Sequence, residues 1–316
     1  MTRRPGRQAP FARASISTLS ISALSLSALL ATTLTGCSAQ GMPVAAPQTP
    51  VGAAGEASLS TSDSSTASSS PAPDSASASA AASPSSAAPS TLPPNPLAGK
   101  VVVIDPGHNG GNAADPAAVN ALVPMGFGQY KACDTTGTEG NDGYSEHAFA
   151  FDVSERLDAL LTAHGIKVIL TRTTDTGVGP CVNVRAAIGN NAHANAAVSV
   201  HGDGYDGNGH GFQIIQASSS AGGGGNDAAS NQLGQDLHAK MLSETGFTPA
   251  TYIGSDGYES RTDLAGLNLS TVPKILVECG NMRDSGDLSR MESAAVRQRI
   301  AQALADGIIT FLTSGK

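Results

Sequence analysis

The chain has 316 residues, with 18 Lys and Arg against 26 Asp and Glu and no tryptophan. Residues 97–316 hold 14 of those bases and 23 of the acids, a formal charge of −9. An acidic folded region without basic runs argues against nucleic acid as a partner, because phosphate backbones are bound by clustered Lys and Arg.

The chain opens with Arg3, Arg4, Arg7 and Arg13, followed by a Ser-punctuated apolar stretch from Ala14 to Leu34. This reads as an export signal, too polar and interrupted for a membrane span. Leu34-Thr35-Gly36-Cys37 resembles the lipobox of bacterial lipoproteins, in which the cysteine is acylated and becomes the mature N-terminus. Residues 1–37 are therefore read as a lipoprotein-type signal peptide with lipidation at Cys37; the alternative is an ordinary cleaved signal whose cysteine is incidental. Residues 38–96 are almost entirely Ser, Ala, Pro, Thr and Gly, with Glu56, Asp63 and Asp74 as the only charges. Such a segment cannot bury enough apolar surface to offset its conformational entropy, so a disordered tether is expected. As a relaxed coil it would reach about 45 Å. The membrane would be touched only through the lipid, with the folded domain on its outer face in the cell-wall space.

Residues 97–316 suffice for one α/β domain. "VVVID" (101–105), "IKVILTR" (166–172), "AAVSVH" (196–201) and "KILVEC" (274–279) read as strands buried on both faces, and "GFQIIQA" (211–217) as a further strand. Helices are expected over 145–164, 182–194, 228–245 and 292–313. The alternation predicts a mostly parallel twisted sheet with helices on both faces, in a single catalytic domain. The Gly-rich connection 109–143 is expected to be a surface loop.

Three cysteines remain in this exported region. Cys133 and Cys181 lie in Gly-rich and Pro-flanked connections, where a disulfide is geometrically easy, while Cys279 sits in an apolar strand. A Cys133–Cys181 bridge is expected, although Cys133–Cys279 and Cys181–Cys279 are also open.

His108 follows the first strand, His201 ends another and Glu278 lies near the end of a third, so parallel strands would bring all three to one carboxyl edge. Glu146 precedes a helical stripe at Phe149, Val153, Leu157 and Leu160, and counting back three from Phe149 places it on the core-facing side. A carboxylate there must be paired, protonated or bound to metal. Two histidines and a carboxylate form a zinc-ligand set with a fourth position open for water. His147 points about 100° away around the helix. His210 reads as solvated, His164 as a favourable cation at a helix end, and His193 and His238 as helical without partners. Asp203 is a candidate to support the ligands, and Asp105 a strand-end acceptor fixing the turn after it.

"VVVIDPGHNGG", "GYSEHAFAFDVSERLDALLTAHGIKVILTR", "AVSVHGDG" and "PKILVECGNM" together resemble the zinc-dependent N-acetylmuramoyl-L-alanine amidases, in their compact exported form. The resemblance implies that His108, Glu146 and His201 bind Zn2+ and that Glu278 is the catalytic acid/base. It implies hydrolysis of the amide between N-acetylmuramic acid and L-alanine, with peptidoglycan or a muropeptide as the substrate; the domain is expected to be a monomer. Two departures are visible: Gly202-Asp203 replaces the more usual Ala-Asn, and "CGNM" the frequent "GF" after Glu278. Another envelope zinc peptidase or deacetylase, or a catalytically silent wall-binding lipoprotein, are the competing readings. In "YIGSDGYESRTDLAGLNLSTVPK", Arg261 or Asn268 could meet a stem-peptide carboxylate or amide, or hold the loop.

Overall fold

Branched apolar runs at the expected places do become strands, and the alternation of helices between them covers both faces. The computed structural model describes residues 95–218 and 227–314. In chain order these form β1 (Val101–Pro106), α1 (Pro116–Val119), β2 (Leu122–Gly126), β3 (Gln129–Ala132), α2 (Glu146–Ala163), β4 (Lys167–Leu170), α3 (Val182–Asn191), β5 (Ala196–Asp203), β6 (Gln213–Ala217), α4 (Asp227–Lys240), β7 (Tyr258–Arg261), α5 (Ala265–Asn268), β8 (Lys274–Asn281), α6 (Ser285–Glu292) and α7 (Ala294–Thr313). The signal peptide with Cys37, and the linker up to residue 94, lie outside the described residues. Asn95 belongs to the fold rather than the linker: its side-chain amide donates to the His164 carbonyl at 2.9 Å and its Oδ1 accepts from Leu97 N.

A six-stranded sheet runs in the order β4-β1-β5-β8-β6-β7. β4, β1, β5 and β8 are mutually parallel; β6 is antiparallel to β8 and parallel to β7. Side-chain alternation then sorts the faces. Val102, Ile104, Val198, Val200, Ile275, Val277 and Ile214 join the large core beneath α2, α4 and α7, whereas Val103 and Ala197 pack in a smaller cluster and Ile215 and Leu276 in a third. Asp105, Ser199, His201, Lys274 and Glu278 share the parity of this second face.

Several local expectations shift. The buried stripe of α2 runs Glu146, Phe149, Val153, Leu157 and Leu161, so Leu161 rather than Leu160 completes it. The helix expected over 228–245 loses its α-geometry after Lys240 and closes in a π-helical turn, Met241–Thr245, before Gly246 at φ +79°. The final helix starts after Ser293, which is extended; α6 before it is a separate helix capped by the Asp284 carboxylate, which accepts from the Gly286 and Asp287 amides. The connection 109–143 contains the β2–β3 hairpin, with Leu122 and Tyr130 exposed. No helix among the described residues is long and apolar enough to cross a membrane.

Candidate active site

Parallel pairing sets the site. β1 is in register with β5 from Val102–Ala196 to Pro106–Val200, and β5 with β8 so that His201 lies directly opposite Glu278. β1 stops two residues before His108, which is turned back at φ +55° so that its ring reaches the end of β5. The turn demands glycine at 107, because a Cβ there would overlap the His201 ring. Opposite, α2 begins with Glu146, 5% exposed and aimed at the same point.

His108, Glu146 and His201 come together, each offering one donor atom, with all three atoms within 4.8 Å of one another. His201 Nδ1 lies 2.8 Å and His108 Nε2 3.1 Å from Glu146 Oε1. The other carboxylate oxygen, Oε2, accepts from Thr138 N at 2.9 Å. Two imidazole nitrogens and a carboxylate oxygen suit a divalent ion of zinc type. Burial alone would raise the Glu146 pKa; the nearby His108, followed by His201, instead holds it well below the ordinary carboxylate range. For His108 burial disfavours charge, but Glu146 and then Asp134 outweigh it and push its pKa up to about 10. These groups are thus arranged to keep a cation, proton or metal, between them.

Glu278 sits beside this cluster with Oε2 buried and, among the described residues, without a hydrogen-bond partner. Burial, then the charges of Glu146 and Asp203, raise its pKa well above the ordinary value. A buried carboxylate that resists ionisation beside a cluster of two histidines and a second carboxylate is matched to proton transfer near neutral pH. Asp203 touches none of the three clustered side chains; it accepts from Tyr252 Oη at 2.6 Å and Gln213 Nε2 at 2.8 Å. Its effect is through its charge on Glu278.

A cavity of about 280 Å³ opens beside His108 and His201 on the second face, reaching Lys274 and roofed by Arg261 and Leu267. At its floor lies a network that sequence reasoning missed. Asp105, taken as a turn acceptor, is buried between Lys274 Nζ at 2.8 Å and Arg185 Nη1 at 3.1 Å, and also accepts from Thr171 and Ser199. Lys274 and Arg185 outweigh the penalty of burial and hold Asp105 far below the usual carboxylate range. Lys274 opens an apolar strand, and that lone charge was the available signal.

The remaining candidates separate cleanly. His147 pairs with Asp175 at 2.7 Å, away from the cluster. His238 is buried and partnered: its ring stacks on Tyr258 with centroids 4.4 Å apart, and its Nε2 lies 2.8 Å from the Asp256 carbonyl. β7, which supplies Tyr258, was not foreseen. His193 lies in an exposed turn after α3 rather than within it. Arg261 lines the cavity but is paired with Asp263, whereas Asn268 is buried and donates to the Met125 and Thr262 carbonyls, tying the hairpin to the loop. Cys133 and Cys181 form a disulfide, and Cys279 is a free buried thiol.

Comparison with known proteins decides the family. Residues 102–310 match the N-acetylmuramoyl-L-alanine amidase family. The chain belongs to that family. N-acetylmuramoyl-L-alanine amidase Rv3717 of Mycobacterium tuberculosis is 43% identical over 218 residues, 69% of this chain and 88% of the relative. The crystal structure of the amidase Ami1 from Mycobacterium smegmatis superposes with a TM-score of 0.65 at 41% identity, covering 69% of this chain and 99% of that one. Ami1 from Mycobacterium abscessus gives 0.63 at 38%, covering 69% and 100%. The amidase fold has also absorbed both sequence departures. A Cβ on Gly202 would meet Met291 at 2.6 Å, and Asn281 is buried, its side chain donating to the Tyr205 and Gly209 carbonyls.

Proposed function

We propose that the chain is a zinc-dependent peptidoglycan amidase that cuts between N-acetylmuramic acid and L-alanine, with His108, Glu146 and His201 holding the metal and Glu278 as acid/base. The observation that carries this is the convergence of those three donor atoms within 4.8 Å, with Glu278 in register beside His201. The chemistry zinc supplies when bound is Lewis acidity, which makes water nucleophilic near neutral pH and polarises a carbonyl.

The protein's own groups supply the rest. Glu278, on the strand adjoining His201, would take the proton of the attacking water and deliver it to the nitrogen of the departing L-alanine. Its low-polarity setting keeps the proton available for that second transfer. The neighbouring cavity can accept part of the stem peptide without moving the sheet.

The same reading puts the enzyme outside the cell: Cys37 would be acylated and residues 38–94 would tether a monomeric catalytic domain. Its support is the lipobox-like sequence before a polar, low-complexity segment.

The test is mass spectrometry of a defined muropeptide treated with the purified protein. A released peptide beginning with free L-alanine, lost on chelation and recovered with zinc, is the expected result. Glu278→Gln should keep the metal and lose activity by about 10²–10⁴-fold, the range of general acid–base contributions. Cleavage within the peptide, loss of an acetyl group or binding without product would each replace this reading with another.

A further inference from the structure

His108 can direct only one nitrogen at the cluster, and the structure fixes which. Nε2 faces Glu146; Nδ1 faces away, 3.1 Å from both the Thr135 carbonyl and the Thr135 hydroxyl and 3.3 Å from Asp134 Oδ1. The carbonyl and the carboxylate can only accept and the hydroxyl can accept as well, so the proton belongs on Nδ1 and the Nε2 lone pair is left for a cation. Asp134 is 6% exposed and is itself held: its Oδ1 accepts from Thr135 N at 2.8 Å, and its Oδ2 faces Arg185 Nη2 at 3.2 Å. The same Arg185 nitrogen donates to the His108 carbonyl at 2.9 Å, so one guanidinium fixes both the histidine's backbone and the acid behind its ring.

A covalent link joins the hydrogen bonds from Cys133 N and Asp134 N to the Ala121 and Val119 carbonyls in stationing Asp134 there. The residue before it, Cys133, is joined to Cys181, the residue immediately before α3, and Val182 N donates to the Cys133 carbonyl at 2.8 Å. Arg185 lies on the first turn of that helix. Asp134 and Arg185 thus reach His108 from two segments far apart in sequence but clamped together at the bridge.

We propose that Asp134 is a positioning residue for His108, setting the imidazole's tautomer and orientation, and that the Cys133–Cys181 bridge is needed to keep Asp134 in that place. The inference rests on the zinc reading above. Outer partners of metal-bound histidines commonly alter metal affinity by about 10–100-fold, and that is the size of effect expected here.

The experiment is a zinc dissociation constant, measured by competition with a chromophoric chelator on the folded protein, with circular dichroism confirming the fold. Asp134→Asn, which preserves shape but removes the charge, should weaken zinc binding about 10-fold or more, and Asp134→Glu should restore part of it. Wild-type protein treated with a dithiol reductant until the bridge opens, with the reductant then removed and the thiols alkylated, should show a loss in the same direction. His108→Ala serves as the reference for a lost ligand. Unchanged affinity in Asp134→Asn would overturn the positioning role, and unchanged affinity after reduction would overturn the anchoring role. If wild type binds no zinc, the metal assignment itself fails, an outcome distinct from both.

Discussion

At the scale of single residues, Glu278 makes the most direct claim on experiment, because the burial that suits it to proton transfer also costs stability. Its folded pKa lies well above the ordinary 4.5, raised by burial and then by Glu146 and Asp203. The unfolded chain therefore ionises first as pH rises, and the stability held below about pH 4.5 is lost progressively up to the folded pKa, at about 1.4 kcal/mol per unit. In chelator, Glu278→Gln should be more stable than wild type at pH 7 and indistinguishable from it near pH 4, as read from urea midpoints. Equal midpoints at both pH values would remove the buried-carboxylate account. Gly107 is constrained by space instead. Gly107→Ala places a methyl on the His201 ring, so zinc uptake should fall steeply, and measured metal content at wild-type level would show that the turn can yield. The cluster itself was legible because strand ends and helix starts are fixed by sequence pattern, and that pattern puts His108, Glu146 and His201 at one edge. Their supports were not legible. Asp134, Arg185 and Lys274 come from a loop, a helix and a strand start whose meeting depends on the path of connections, and His238 gained its stacking partner from a strand that periodicity does not show.

Secondary elements are joined on the second face by charge rather than by apolar contact alone. Asp105 on β1, Lys274 on β8 and Arg185 on α3 form one buried network, with Lys274 and Asp105 each about 4% exposed. Breaking such a network leaves uncompensated charge, typically costing about 3–5 kcal/mol. Asp105→Asn should therefore destabilise the domain by that amount, and a denaturant midpoint within error of wild type would mean that water or rearrangement satisfies Lys274. Because Asp105 stays ionised far below its ordinary pKa, its contribution is fully present above about pH 4 and should be lost progressively as the pH falls further into strong acid. The strands of the parallel core were readable as continuous branched runs. The β2–β3 hairpin was not, since Pro124, Gly126 and Gly128 give "LVPMGFGQYKA" the composition of a loop and its side chains are largely exposed. The hairpin is stabilised from outside its own sequence, through Asn268 on α5 bonding to Met125.

For the whole molecule, the disulfide should have two effects that can be measured apart. It closes a separation of 48 residues between the connection after β3 and the start of α3. On the chain-entropy account, a loop of that length stabilises by about 4 kcal/mol through the unfolded state, whether or not metal is present. A bound ion adds a second increment, about 2.7 kcal/mol when its concentration is 100 times the dissociation constant. If the bridge acts only on the unfolded chain, reducing it should lower stability equally with zinc and with chelator. The route from Cys133 through Asp134 to His108 predicts otherwise: at fixed zinc concentration, the reduced protein should also lose part of the metal's increment. Unfolding curves in the four combinations of oxidised or reduced protein, with zinc or chelator, measure that coupling directly. A coupling of zero would make the bridge a clamp on the domain alone; about 1.4 kcal/mol would correspond to a tenfold loss of zinc affinity on reduction.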